Sequence, residues 1–310
     1  MAKVPTSRID KLLSSMGYGS RSEVARLAKV GGITLDGAEV ADVSARIPVT
    51  PDLPARMQVD GEPLDPLPGV VILLNKPLGM TCSHKEDGPL VYDLLPPRWR
   101  RRGPAVSTVG RLDKQTSGLL LMTDDGALLH RLISPRHHVR KTYRATLARP
   151  LTGAEGAVFA SGSLMLEGEA KPLLPAELQV LGPQEARLTI TEGRYHQVRR
   201  MFAAVGNHVE ALHRESMGGL RLDEGMKAGE WRVLGVEEGE GVTREGRRRR
   251  PRPDSGAPTQ APTKPRLKAQ APLPPPAQAD ADHRQVLAHW EEVAALQEAR
   301  GLDLADDGQT

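Results

Sequence analysis

Apolar residues recur at helical spacing from the start of the chain. Ile9, Leu12, Leu13 and Met16 share one helix face, and Gly17 and Gly19 end that helix. Ser20 then reads as the N-cap of a second helix, with Glu23 completing a capping box and Val24, Leu27 and Ala28 on its buried side. "GGITLDGAEV" follows as two short strands around an Asp-Gly turn. These elements predict a small helical unit over 7–47. Six prolines between Pro48 and Pro68 mark 48–69 as a linker with some local structure that leaves the angle between its neighbours adjustable. From residue 70 the pattern alternates between strands ("VVILL", "GLLLMT", "KTYRATL", "ARLTIT", "WRVLG") and two helices, near Asp125 and near His196. Helices do not follow strands in regular alternation, so 70–238 is expected to be an α+β domain with largely antiparallel pairing.

Composition changes near residue 239. The stretch 239–281 is rich in Pro, Arg, Ala and Gln, has almost nothing to bury, and is expected to be a disordered basic tail. Val286, Trp290, Val293 and Gln297 recur at helical spacing and mark 282–300 as a possible amphipathic helix. The 310-residue chain carries a formal charge of +3, with 39% hydrophobic and only 3% aromatic residues. The N-terminus has no apolar leader and the apolar runs are too short to span a bilayer, so a cytoplasmic monomer with no membrane partner is expected.

The charge is unevenly placed. Lys3, Arg8, Lys11, Arg21, Arg26 and Lys29 face only Asp10 and Glu23 in the first helices, which suits either a solvated surface or contact with phosphates. A single cysteine, Cys82, excludes an internal disulfide and a cysteine zinc site. No phosphate-binding glycine loop, dinucleotide fingerprint, serine elbow or histidine metal spacing is present. A cofactor-free reaction or a purely binding role is therefore expected.

Three stretches can carry chemistry. In "VGRLDKQTSG" an extended backbone puts Arg111 and Asp113 on one face and Leu112 on the other. Asp113 is then either a turn residue or a reactive carboxylate, and a reactive one needs a nearby cation. "EGRYHQVRRMF" offers Arg199, bordering the stripe Val198, Met201, Phe202, Val205, either as a surface arginine or as a fork aimed at a carboxylate or phosphate. In "KTYRATL", Tyr143, Ala145 and Leu147 share a strand face, so Tyr143 is a core ring or a surface for stacking a base.

"SRIDKLLSSMGYGSRSEVARLAKVGGITLDGAEV" resembles the S4 RNA-binding domain, of α-L type. "LLNKPLGMTCS", "GRLDKQTSGLLLMTDDG", "KTYRATL" and "EGRYHQVRRM" resemble, in order, the motifs of the pseudouridine synthases. The resemblance implies an S4 unit followed by a mixed, largely antiparallel catalytic domain with a central cleft, and isomerisation of uridine to pseudouridine without a cofactor. "SPRHHVRKTY" and "LHRESMGGL", with Tyr195-His196 where large-subunit relatives tend to carry Asn-Arg, are similar to the branch acting on 16S rRNA or the assembling small ribosomal subunit. The competing readings are a synthase acting on 23S rRNA and a non-catalytic assembly factor. The resemblance further implies Asp113 acting on the ribose of a flipped-out uridine, Arg199 pairing with it, and Tyr143 stacking on the uracil as base or relay for the C5 proton. It implies Arg111, Lys76, Lys141, His196 and Gln197 as substrate contacts. Arg8, Lys11, Arg21, Arg26 and Lys29 become the RNA-docking set.

Overall fold

The computed structural model describes residues 4–83, 88–235, 238–239 and 241–242. The expected tail and the expected helix at 282–300 lie outside these residues, apart from the few described positions up to Val242.

The N-terminal unit contains β1 (Thr6–Arg8), α1 (Ile9–Ser15), α2 (Arg21–Lys29), β2 (Ile33–Leu35), β3 (Ala38–Glu39), β4 (Arg46–Pro48), α3 (Leu53–Arg56), β5 (Met57–Val59) and β6 (Glu62–Pro63). Ser20 and Glu23 form the expected reciprocal cap. Asp36 and Gly37, both at positive φ, turn the expected hairpin. The anticipated linker is corrected in part. β4 pairs with β1 and β5 with β2, and Leu53, Met57, Val59 and Leu64 are buried with Ile9, Leu13 and Val24 in one core. The local structure expected in this proline-rich stretch is part of the first sheet and core, because its apolar residues alternate into a sheet that needs them.

The remaining turn is pinned rather than adjustable. Asp65 accepts two bonds from Arg98, at 2.5 and 2.7 Å, and its amide donates to the Tyr18 hydroxyl at 2.9 Å. The Gly103 amide donates to Ser15 O at 2.7 Å. Arg102 and Asp124 form an ion pair at 3.0 Å, each side chain 1% exposed, and Arg102 also donates to Pro66 O.

The larger body contains β7 (Val71–Lys76), β8 (Ser107–Thr108), β9 (Thr116–Thr123), α4 (Gly126–Ile133), β10 (Lys141–Leu147), α5 (Glu155–Ala160), β11 (Glu177–Gly182), β12 (Glu185–Ile190), α6 (Gln197–Ala204), β13 (Val209–Met217), β14 (Leu220–Arg221) and β15 (Trp231–Val233). Among the described residues these strands form one sheet, ordered β11-β12-β10-β13-β9-β7-β15, with β8 on β9 and β14 on β13. Pairing is antiparallel except between β9 and β13. β7 and β9 are covered on both faces, which is why they read as continuous apolar runs. β10 alternates as expected, with Tyr143, Ala145 and Leu147 buried and Arg144 and Thr146 exposed. α6 buries Val198, Met201 and Phe202, the last edge-on to Phe159 with ring centroids 5.3 Å apart. Val242 is also buried, in the core on the α4 side, so this body extends past the expected boundary at 238.

Candidate active site

The loop from Leu112 to Thr116 is held by its carbonyls. Leu112 O accepts from the Cys82 thiol at 3.5 Å. Asp113 O accepts from the Thr116 amide at 2.9 Å and from Lys76 Nζ at 3.2 Å. Lys114 O accepts from the Gly79 amide at 2.8 Å. Gln115 O accepts from Arg199 at 2.8 Å, and Thr116 O from Lys76 Nζ at 2.9 Å. Donors from the β7 end, the segment after it and α6 thus converge on five consecutive residues. Such a frame fixes where the Asp113 side chain points.

Arg111 is exposed, Leu112 buried and Asp113 half-buried, the burial alternation expected from the sequence. The Asp113 carboxylate, 36% exposed, has Oδ1 3.4 Å from His196 Nε2. His196 precedes α6 in a left-handed conformation, and its ring stacks on Tyr195 at 3.9 Å and 17°. An ion pair forms there whenever the imidazole is protonated.

Three expectations are corrected. Arg199 does not pair with Asp113: its guanidinium donates to Val209 O and Gln115 O, both at 2.8 Å. It therefore clamps the loop backbone to β13 instead of neutralising the carboxylate. Lys76 is not a substrate contact. It is 0% exposed, and its ammonium donates to Pro77 O, Asp113 O and Thr116 O. Burial pushes its pKa down, while the Asp113 charge works the other way. Gln197 is also buried, accepting from the Arg194 amide and donating to Glu192, so it closes the turn before α6.

Tyr143 is buried, with Oη 3.5 Å from Arg214 Nη1. Lys141, two residues earlier on the same face, is pushed down to about 8, by burial first and by the Arg214 charge next. Arg214 itself was missed in the sequence. It lies on β13, where His213, Arg214 and Glu215 follow one another and hide the strand's alternation.

A row of register partners crosses the sheet here. Lys76 lies opposite Gly118, Gly118 opposite Arg214, and Arg214 opposite Tyr143. Gly118 has φ +104, and a Cβ there would sit 2.3 Å from Arg214 O. Only glycine permits that approach of β9 to β13.

In the N-terminal unit, Asp10 is buried and receives forked bonds from both Arg8 and Arg21. Burial alone would raise its pKa, but these bonds and the Lys11 amide hold it below the ordinary value. Arg8 and Arg21 thus lock β1, α1 and α2 together while keeping part of their surface exposed. Lys11, Arg26 and Lys29 are exposed.

Comparison with known proteins agrees with this architecture. Residues 70–204 match the RNA pseudouridylate synthase family and residues 7–50 the S4 domain. The chain is 46% identical over 235 residues to ribosomal small subunit pseudouridine synthase A of Yersinia pestis, covering 74% of this chain and 96% of that protein. Against the protein of the same name from Escherichia coli K12 the identity is 43%, covering 97% of it. A solved pseudouridylate synthase structure superposes with a TM-score of 0.54 at 38% identity, covering 76% of this chain and 99% of the other. The chain therefore belongs to the RNA pseudouridylate synthase family, with an S4 domain ahead of its synthase domain.

Proposed function

We propose that this enzyme isomerises a uridine in the 16S rRNA of the small ribosomal subunit, with Asp113 acting on the ribose. The observation that carries the reading is Asp113 itself: a solvent-reachable carboxylate on a loop whose carbonyls, from 112 to 116, are all held. The N1–C1′ bond of uridine breaks, the ring turns, C5 bonds to C1′, the C5 proton leaves and N1 gains one. Atoms and electrons balance without a cofactor. Asp113 acts as nucleophile at C1′ or as base at C2′, and Tyr143 lies against the uracil.

The target must leave its stack, at about a few kcal/mol, offset by contacts in the pocket. Arg111, His196 and Lys141 border the site as candidate contacts to the flipped nucleotide. Exposed Lys11, Arg26 and Lys29, with the free parts of Arg8 and Arg21, supply phosphate contacts from the S4 domain. A monomer is expected on this reading.

The test is a pseudouridine map of both ribosomal RNAs with and without the gene, repeated with Asp113→Asn. Loss of one small-subunit site in the deletion and in the Asn variant, with RNA binding kept, is the expected result. An unchanged map with Asp113→Asn refutes the role of Asp113, and a site lost from the large-subunit RNA refutes the substrate.

A further inference from the structure

Arg214 is 2% exposed and has no carboxylate partner among the described residues. Its Nε donates to Leu119 O at 2.7 Å, and its Nη1 faces Tyr143 Oη at 3.5 Å. Its Nη2, like Nη1 of Arg102, is buried with no hydrogen-bond partner among the described residues. The contrast lies in the same fold: buried Arg102 is neutralised by Asp124 at 3.0 Å. Buried Lys76 spends its protons on three carbonyls. Arg214 has neither arrangement, and Lys141 adds a second cation at the same pole, close enough for Arg214 to depress its pKa. A buried cation without a counter-charge is costly, so the site is built for negative charge that arrives from outside.

We propose that Arg214 is a positioning residue that acts through Tyr143 to support negative charge on the uracil ring once it has left C1′. The inference rests on the reading that Tyr143 lies against the target uracil. On either route for Asp113, the N1–C1′ electron pair departs with the ring, and the charge spreads over N1, O2 and O4. Arginine stays protonated throughout and transfers nothing. By donating to the Tyr143 oxygen, Arg214 occupies an acceptor site and turns the phenolic proton away from itself, toward the ring. Its fixed positive charge behind the hydroxyl then strengthens that donation in a water-poor site. When C5 bonds to C1′ and loses its proton while N1 gains one, the charge is discharged and Arg214 returns to its starting state.

The experiment compares small-subunit rRNA transcripts made with uridine or with 5-fluorouridine, under single turnover, reading loss of the N1-linked nucleoside at the mapped site. Fluorine replaces the C5 proton, so only the early bond change is followed. It also stabilises the ring anion by itself, which lessens the need for Arg214. Arg214→Met is expected to slow the uridine substrate about 100-fold and the fluorinated substrate at least several-fold less, with Arg214→Lys intermediate on both. Equal defects on the two substrates overturn the proposal, as does wild-type turnover by Arg214→Met. A defect confined to RNA affinity, with a shallower salt dependence, assigns Arg214 to a phosphate and overturns it too. If Arg214→Met does not fold, the same comparison with Arg214→Lys decides. Tyr143→Phe and Tyr143→Ala separate the two levels: full activity with Phe shows that the hydroxyl is not needed and overturns the proposal, whereas full activity with Ala refutes the placement of Tyr143 against uracil.

Discussion

Gly118→Ala is expected to damage both stability and turnover, for a reason set by two strands. The added Cβ would lie 2.3 Å from Arg214 O, 2.7 Å from Arg214 N and 3.0 Å from its carbonyl carbon. All three are backbone atoms of β13, so no side chain can swing away. Relief requires β9 and β13 to separate by about 1 Å, given ordinary contact distances above about 3.3 Å. Forcing a methyl into a packed interior costs about 1–3 kcal/mol. Holding a non-glycine residue in this backbone region costs about another 1–3 kcal/mol. The sum, about 2–6 kcal/mol, corresponds to a fall in Tm of roughly 5–20 °C for a body of this size. The same shift moves Arg214 relative to Lys76 and the Asp113 loop, and a displacement near 1 Å costs about 100-fold in rate. Thermal unfolding followed by circular dichroism, with single-turnover pseudouridine formation at a temperature where the variant is folded, checks both parts. A variant with unchanged Tm and unchanged rate would refute the close approach of the strands as the reason for glycine.

Two further outcomes follow from Lys76, which is buried, and Lys141, which is half-buried. Lys76→Met keeps the volume but removes the donor from Pro77 O, Asp113 O and Thr116 O; turnover is expected to fall about 100-fold while RNA affinity stays close to wild type, and a variant that loses affinity alone would return Lys76 to the role of substrate contact. Burial, with Arg214 adding to it, pushes Lys141 down to about 8 from 10.5. The unfolded chain therefore binds more protons between those values, and Lys141 makes stability rise with pH across that window. Its charge in the site is lost over the same rise, so kcat/KM for RNA is expected to fall as pH passes about 8. Lys141→Met should remove that limb of the profile, and a limb that survives the substitution would show that another group is responsible.

Much of the candidate site was legible because its signals are local. The stripe Val198, Met201 and Phe202 specified α6, the alternation of "KTYRATL" specified β10, and Arg111–Leu112–Asp113 carried the expected alternation in burial. The partners of those residues were not legible. Arg199 looked like the counter-charge for Asp113, yet it reaches Gln115 O and Val209 O, because α6 and β13 bring those carbonyls within range. β13 escaped notice since four polar residues in succession, His213, Arg214, Glu215 and Ser216, break the pattern that marks a half-buried strand.

By itself the sequence determined α1, α2, α4 and α6, the strands β7, β9, β10, β12 and β15, the two RNA-related units and the motif residues, since periodicity, capping and turn chemistry act between neighbours in the chain. Tertiary structure alone decided that part of the proline-rich stretch completes the first sheet and that Asp65 and Arg98 tie the S4 domain down. It also decided that Lys76 faces inward and that Arg214 lies beside Tyr143 with no carboxylate partner among the described residues. Each of these depends on which side chains from distant strands share a pleat row, and register across a sheet is a property of pairing, not of any one segment.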